Sequence, residues 1–237
     1  MKTLLVFVIT VILTMGTVIA PGYIQQEVQE YNIENKEISR DTLELTVPER
    51  ARKNKKIPVI KEQINTENIL FIGNSLICGI DMVTDGHNFI SEVGYTIKSL
   101  RTEGYYKYLD AYPLDTVVIE LGTNELGWFG EDNFKNEFDI LISEIQTRNS
   151  NSDIVLMTIP PVSEKRDSTE EHFNNKNVEL YNKYLTDIAM KYNLMLIDTH
   201  ELFGDVLSTE DTTDGIHLKG DKYREWYDFI IKKLQDA

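Results

Sequence analysis

Residues 67–81 read Glu-Asn-Ile-Leu-Phe-Ile-Gly-Asn-Ser-Leu-Ile-Cys-Gly-Ile-Asp. The near-continuous apolar run from Asn68 to Ile72 predicts a strand covered on both faces, as the strands of a parallel sheet are. It stops at Gly73, where a tight turn brings Ser75 to the start of a helix. Three more runs of this kind follow, Thr116 to Leu121 (TVVIEL), Asp153 to Ile159 (DIVLMTI) and Leu194 to Ile197 (LMLI), with a shorter one at Asn88 to Val93. Between them lie segments of helical period. Glu131 to Arg148 sets Phe134, Phe138, Leu141, Ile142 and Ile145 on one face, and Val178 to Tyr192 does so with Leu180, Tyr181, Leu185 and Ile188. A last helix, about Asp221 to Leu234, turns Tyr223, Trp226, Tyr227, Ile230 and Ile231 inward. Strands alternating with crossover helices predict an α/β fold of three layers, α/β/α, around a mostly parallel five-stranded sheet.

The rest of the chain bounds this domain. With 237 residues and 41% hydrophobic side chains there is material for one core plus appendages, and the domain is expected over 67–237. A formal charge of −15 speaks against a nucleic-acid partner, which needs a basic face. Cys78 is the single cysteine, so the chain forms no internal disulfide; among Leu76, Ile77 and Ile80 it reads as a buried small hydrophobe. Residues 1–24 carry Lys2 and then an apolar run from Leu4 to Ala20, an export signal. Pro21 is a poor residue after a peptidase cut, and the stretch to Ile24 approaches the roughly 20 residues that span a bilayer. A retained anchor is therefore expected over signal cleavage and secretion, with Lys2 inside and the remainder outside the cytoplasm. Residues 25–66 are polar and unpatterned, a tether reaching on the order of 35 Å if flexible. The basic cluster Arg50, Arg52, Lys53, Lys55 and Lys56 within it reads as solvated linker charge.

In an open parallel sheet, ligands bind beyond the carboxyl ends of the strands, so the residues just after each strand carry the chemistry. Ser75 in its turn suits either a helix N-cap or a nucleophile. After the third strand in chain order, Thr116 to Leu121, Gly122-Thr123-Asn124-Glu125-Leu126-Gly127 offers Asn124, either a turn residue or an amide donor. Before the last helix, Asp214-Gly215-Ile216-His217 places a carboxylate three residues ahead of an imidazole. Such an Asp can accept the Nδ1 proton and free Nε2 as a base, or both can be surface residues of a capping turn. A calcium loop fits this stretch badly, because Glu210 and Thr212 would fall at its first ligand positions. His87, His172, His200 and His217 lack paired metal-ligand spacing, and no phosphate or dinucleotide fingerprint is present. Neither a metal nor a cofactor is expected.

The order of these segments resembles that of the SGNH (GDSL-like) hydrolases. The block usually written Gly-Asp-Ser-Leu matches Gly73-Asn74-Ser75-Leu76; a block glycine after the second strand matches Gly94; Gly-x-Asn-Asp is similar to Gly122-Thr123-Asn124-Glu125; and Asp-x-x-His matches Asp214 to His217. The departures are Asn74 and Glu125, where the family usually has Asp. The resemblance implies the flavodoxin-like fold of that family and a serine esterase. In it Ser75 is the nucleophile, His217 the general base and Asp214 its orienting carboxylate. The backbone N–H groups of Ser75 and Gly94 and the side chain of Asn124 form the oxyanion hole. Expected substrates are short acyl esters, acetyl above all, on a cell-surface glycan or lipid. An acyl transferase using the same acyl-enzyme, or a binding module that has lost turnover, are the alternatives. The partners are then an ester of a cell-envelope polymer and the membrane itself; oligomeric state has no sequence signal.

Overall fold

The structure is a computed structural model that describes residues 68–110 and 114–237. The anchor, the tether and the basic cluster lie outside the described residues. Among those described, no helix is long and apolar enough to cross a membrane.

Five strands form the sheet: β1 (Ile69–Gly73), β2 (Asn88–Ser91), β3 (Thr116–Glu120), β4 (Asp153–Met157) and β5 (Met195–Ile197). Their order is β2-β1-β3-β4-β5, and every pairing is parallel. The register sets Gly73 beside both Ser91 and Glu120, so the ends of the three strands β2, β1 and β3 are level. β1 and β3 are buried along their whole length, which is why their sequences do not alternate, while the edge strands β2 and β5 are only partly covered.

The helices are α1 (Ser75–Asp81), α2 (Ile97–Thr102), α3 (Tyr106–Leu109), α4 (Glu131–Arg148), α5 (Glu164–Thr169), α6 (Asn175–Tyr192), α7 (His200–Phe203) and α8 (Gly220–Gln235). One layer is α1 with α8: Phe71 meets the Tyr227 ring, and a Cβ on Gly73, two residues along the same strand, would strike Ile77. The other contains α4 packed with α2, α3 and α6, where Phe134 stands edge-on to Phe138 and Tyr181. Helices α1, α2, α5 and α6 start where a side chain satisfies a free N–H group. Asn74 Oδ1 accepts from Leu76 N at 2.9 Å, Thr96 and Ser99 form a capping box on α2, and Asn174 Oδ1 accepts from Asn177 N at 2.9 Å. Asn193, in the left-handed region at φ 53°, closes α6 and turns the chain into β5.

The expected strands and long helices are all present, with three differences in side-chain placement. Leu180 is 43% exposed, because the buried stripe of α6 runs through Val178, Tyr181, Tyr184, Leu185 and Ile188 and leaves it on the flank. On α8 the stripe is Tyr223, Trp226, Ile230 and Leu234, with Tyr227 and Ile231 only partly covered. Cys78 is half-buried rather than core.

Candidate active site

Three loops beyond the strand ends meet. The β1–α1 turn carries Ser75 as the first residue of a helix whose N-cap role is filled by Asn74, so the Ser75 hydroxyl is free for another partner. That partner is His217: Ser75 Oγ lies 2.8 Å from His217 Nε2, across 142 residues of sequence. On the far side of the ring, His217 Nδ1 lies 2.8 Å from Asp214 Oδ2.

The Asp214–His217 turn is rigid for local reasons. Asp214 Oδ1 accepts from Ile216 N at 3.0 Å and from His217 N at 2.8 Å, which locks the carboxylate under the ring. Thr213 N donates to His217 O at 2.8 Å, and Thr212 bridges antiparallel to Leu218. Gly215 has φ 91°, and a Cβ there would lie 2.5 Å from Ser163 Oγ. Ser163 N donates to Gly215 O at 2.8 Å, so the loop after β4 braces this turn. Burial works against charge on Asp214, but the hydrogen bonds from His217 and Ile216 outweigh it and hold the carboxyl down at about 2. An ionised Asp214 only accepts, which puts the proton of a neutral imidazole on Nδ1 and leaves Nε2 to take the serine proton.

The third loop begins at Gly122, where φ is 125° and a Cβ would meet Ile159 Cδ1 at 2.8 Å, so only glycine fits. It continues as a 3₁₀ turn over Thr123–Glu125. Asn124 Nδ2 donates to Tyr95 O at 2.8 Å, which uses one amide hydrogen and leaves the second free. Glu125 Oε1 accepts from Ile97 N, the first N–H of α2, at 2.6 Å. Burial raises the Glu125 carboxyl to about 7, against the N–H bonds that favour its charge. Two adjacent residues of this loop thus grip the β2–α2 segment at Tyr95 and Ile97. Gly94, at φ 83°, is in that segment, exposed and next to Tyr95. The Tyr181 hydroxyl ties the loop down from α6, bonding Glu125 O at 2.9 Å and Phe129 O.

Ser75, His217, Asp214 and Asn124 stand at one end of the sheet, as the sequence leads one to expect. Three contributors do not emerge from the sequence reading: Tyr95, whose carbonyl orients Asn124; Ser163, which braces the His217 turn; and Glu120, a carboxylic acid with no exposure at the end of β3. Only Glu120 carries a signal, an acid inside an otherwise apolar strand. Among the described residues no group of three or more His, Cys, Asp or Glu is arranged to hold a metal ion.

Comparison with known proteins shows what this arrangement belongs to. No curated protein matches in sequence. Among solved structures, a Streptococcus pneumonia protein provisionally named a platelet activating factor shares 21% identity, with a TM-score of 0.62 over 73% of this chain and 86% of that one. A GDSL-like lipase from Bacteroides thetaiotaomicron shares 17% with a TM-score of 0.58, over 72% and 89%. An acetylxylan esterase from Geobacillus stearothermophilus shares 16% with a TM-score of 0.54, over 73% and 96%. At these identities the likeness is one of fold. The description that fits the sequence itself is "GDSL-like Lipase/Acylhydrolase family", matched over residues 72–224, from the end of β1 into α8. That span holds all three loops of the site, and the chain accordingly belongs to the GDSL-like lipase/acylhydrolase family and is an ester hydrolase on its α/β fold.

Proposed function

We propose that the chain is a serine esterase that works through an acyl-enzyme and removes a short acyl group, acetyl above all, from a glycan at the cell surface. The observation that carries the mechanism is the chain of contacts Ser75 Oγ, His217 Nε2, His217 Nδ1 and Asp214 Oδ2, with 2.8 Å from Ser75 to the ring and 2.8 Å from the ring to Asp214. Ser75 Oγ attacks the ester carbonyl carbon as its proton passes to His217 Nε2. The imidazolium formed is stabilised by Asp214, which is ionised throughout the neutral range. The tetrahedral intermediate collapses, and Nε2 returns the proton to the departing alcohol. Water then attacks the acyl-Ser75 ester with His217 again as base, releasing the acid and regenerating the serine.

Negative charge on the former carbonyl oxygen needs donors already in place. Ser75 N, first in α1, has no acceptor within its own helix. Gly94 N and the free amide hydrogen of Asn124 complete the set in this reading. Asn124→Ala should therefore lower kcat by roughly 10²–10³ with KM little changed. A raised KM at constant kcat would make Asn124 a substrate-binding residue instead.

The substrate reading is supported by the surroundings of the site. Trp128, four residues past Asn124, is 66% exposed and lies over His172 with ring centroids 4.0 Å apart, a supported aromatic face of the kind that stacks on a sugar ring. The loops beyond the strand ends, GTNELGWFGED over residues 122–132 and PPVSEKRDSTEEHF over residues 160–173, are polar and charged with isolated aromatics rather than continuously apolar. A long acyl chain gains about 0.8 kcal/mol per buried methylene only along a continuous apolar channel. The name acetylxylan esterase on one structural neighbour agrees with this reading. The apolar run Leu4 to Ala20 supports placing the activity outside the cytoplasm and tethered to the membrane. Measured with p-nitrophenyl acetate, butyrate, octanoate and palmitate, kcat/KM should be highest for the shortest chains. A rise beyond butyrate would refute the short-acyl reading and favour a lipase.

A further inference from the structure

We infer that Glu125 is a positioning residue of the oxyanion hole: through the first N–H of α2 it fixes the turn that presents the Gly94 N–H. The inference rests on the roles proposed above for Ser75, Gly94 and Asn124.

Gly94 belongs to a turn with no packing of its own. Tyr95 N donates to Glu92 O at 3.2 Å, so Glu92 to Tyr95 form a β-turn with Gly94 in third place, at φ 83°. Gly94 N donates to no acceptor among the described residues, and a Cβ on Gly94 would meet nothing within 4 Å. The donor and the space around it are therefore open. Val93 beside it is 73% exposed and Glu92 is exposed as well, so no buried side chain holds the turn. Its position is set by its two flanks. On one side is β2, an edge strand of four residues. On the other side the β3–α4 loop takes hold: Asn124 Nδ2 donates to Tyr95 O at 2.8 Å, and Glu125 Oε1 accepts from Ile97 N at 2.6 Å.

Glu125 is a costly residue to keep there. It is 1% exposed, its Oε2 has no partner among the described residues, and burial pushes the carboxyl up to about 7. An apolar side chain of that size would fill the space without burying a polar group. It could not accept from Ile97 N. That bond spans 28 residues of sequence and leaves from the same 3₁₀ turn that carries Asn124, itself tied to α6 where the Tyr181 hydroxyl bonds Glu125 O at 2.9 Å. Adjacent side chains thus keep two oxyanion donors in register, Asn124 by gripping Tyr95 and Glu125 by gripping the start of α2. The alternative is a helix cap and nothing more. Thr96 and Ser99 already form a capping box on α2, and Ile97 and Leu100 anchor that helix in the core. A cap predicts that losing Glu125 lowers Tm and leaves kcat. Positioning predicts a loss of kcat, since a group displaced by about 1 Å can cost on the order of 10²-fold.

Full-length wild type, Glu125→Gln and Glu125→Met test this, each measured for kcat and KM on p-nitrophenyl acetate, for Tm, and for the Ki of a trifluoromethyl ketone. Ser75 Oγ adds to the ketone carbonyl as His217 Nε2 takes the serine proton, and the adduct holds an oxyanion where the reaction intermediate does. Glu125→Met fills the same space without an acceptor. It should lose about 10- to 100-fold in kcat with KM changed by less than about two-fold, and bind the ketone more weakly by a factor similar to the loss in kcat. Glu125→Gln keeps an oxygen for Ile97 N and should stay within about three-fold of wild type in both. Should Glu125→Met fail to fold, Glu125→Ala, which also removes the acceptor, is held to the same expectation. An apolar variant with wild-type kcat, a loss carried by KM instead of kcat, or a Glu125→Gln protein as impaired as the apolar variant overturns the assignment. A wild type that the ketone does not inhibit and that takes no fluorophosphonate on Ser75 would instead bring down the nucleophile reading on which the inference stands.

Discussion

Ser75→Ala and His217→Ala should each reduce ester turnover to near background without altering the fold. The loss follows from the geometry: Ser75 Oγ lies 2.8 Å from His217 Nε2, and among the described residues neither atom has another side-chain hydrogen-bond partner. Removing a nucleophile or its base lowers kcat by on the order of 10⁶ in a serine hydrolase of unrelated fold. The fold should survive because neither side chain fills the core. Ser75 is half-buried on the first turn of α1, whose cap belongs to Asn74, and the His217 side chain is 37% exposed. Circular dichroism and Tm close to wild type, together with turnover of p-nitrophenyl acetate at the blank rate, are the expected results. Substantial turnover by either variant would remove that residue from the reaction.

Asp214→Asn should cost on the order of 10⁴ in kcat. The new amide keeps an oxygen for Ile216 N and His217 N, so the turn need not collapse, but its NH₂ replaces the oxygen that accepts from the ring. His217 would then be held with its proton on Nε2, facing Ser75 Oγ as a donor and unable to take the serine proton. The defect should persist across the neutral range, because the wild-type carboxyl is held at about 2, below its ordinary 3.8, and is ionised throughout. The sign for stability follows the usual carboxylate case. A depressed folded-state value contributes stability that is complete above the unfolded value and is lost as pH falls through about 2. Asp214→Asn should therefore lose a small increment of Tm at neutral pH and none in strong acid. With the side chain 46% exposed, that increment is screened. A variant retaining a tenth or more of wild-type kcat would leave Asp214 a structural turn residue.

The sheet is legible in the sequence because its middle strands are covered on both sides. TVVIEL and DIVLMTI cannot be half-wet strands, and their near-unbroken apolar character announces parallel pairing. Helices α4, α6 and α8 are legible from period, although Leu180 shows where period alone misplaces a side chain on the flank of a stripe. Ser75 and Asn124 are visible as residues just past strand ends, and Asp214 and His217 as a pair before the last helix, but their contacts are not. Nothing in Asp-x-x-His says that Nε2 meets a serine 142 residues away; that depends on α8 packing beside α1. The clamp on Tyr95 and Ile97 is hidden for another reason. It uses a main-chain carbonyl and a main-chain N–H, which carry no residue-type signature.

The most direct test of the account is the site of covalent capture. Full-length protein treated with a fluorophosphonate and digested should yield one modified peptide, with the phosphonyl group on Ser75, and the His217→Ala protein should label far more slowly. No adduct on the wild-type protein, or an adduct on any residue other than Ser75, would contradict the serine acyl-enzyme mechanism.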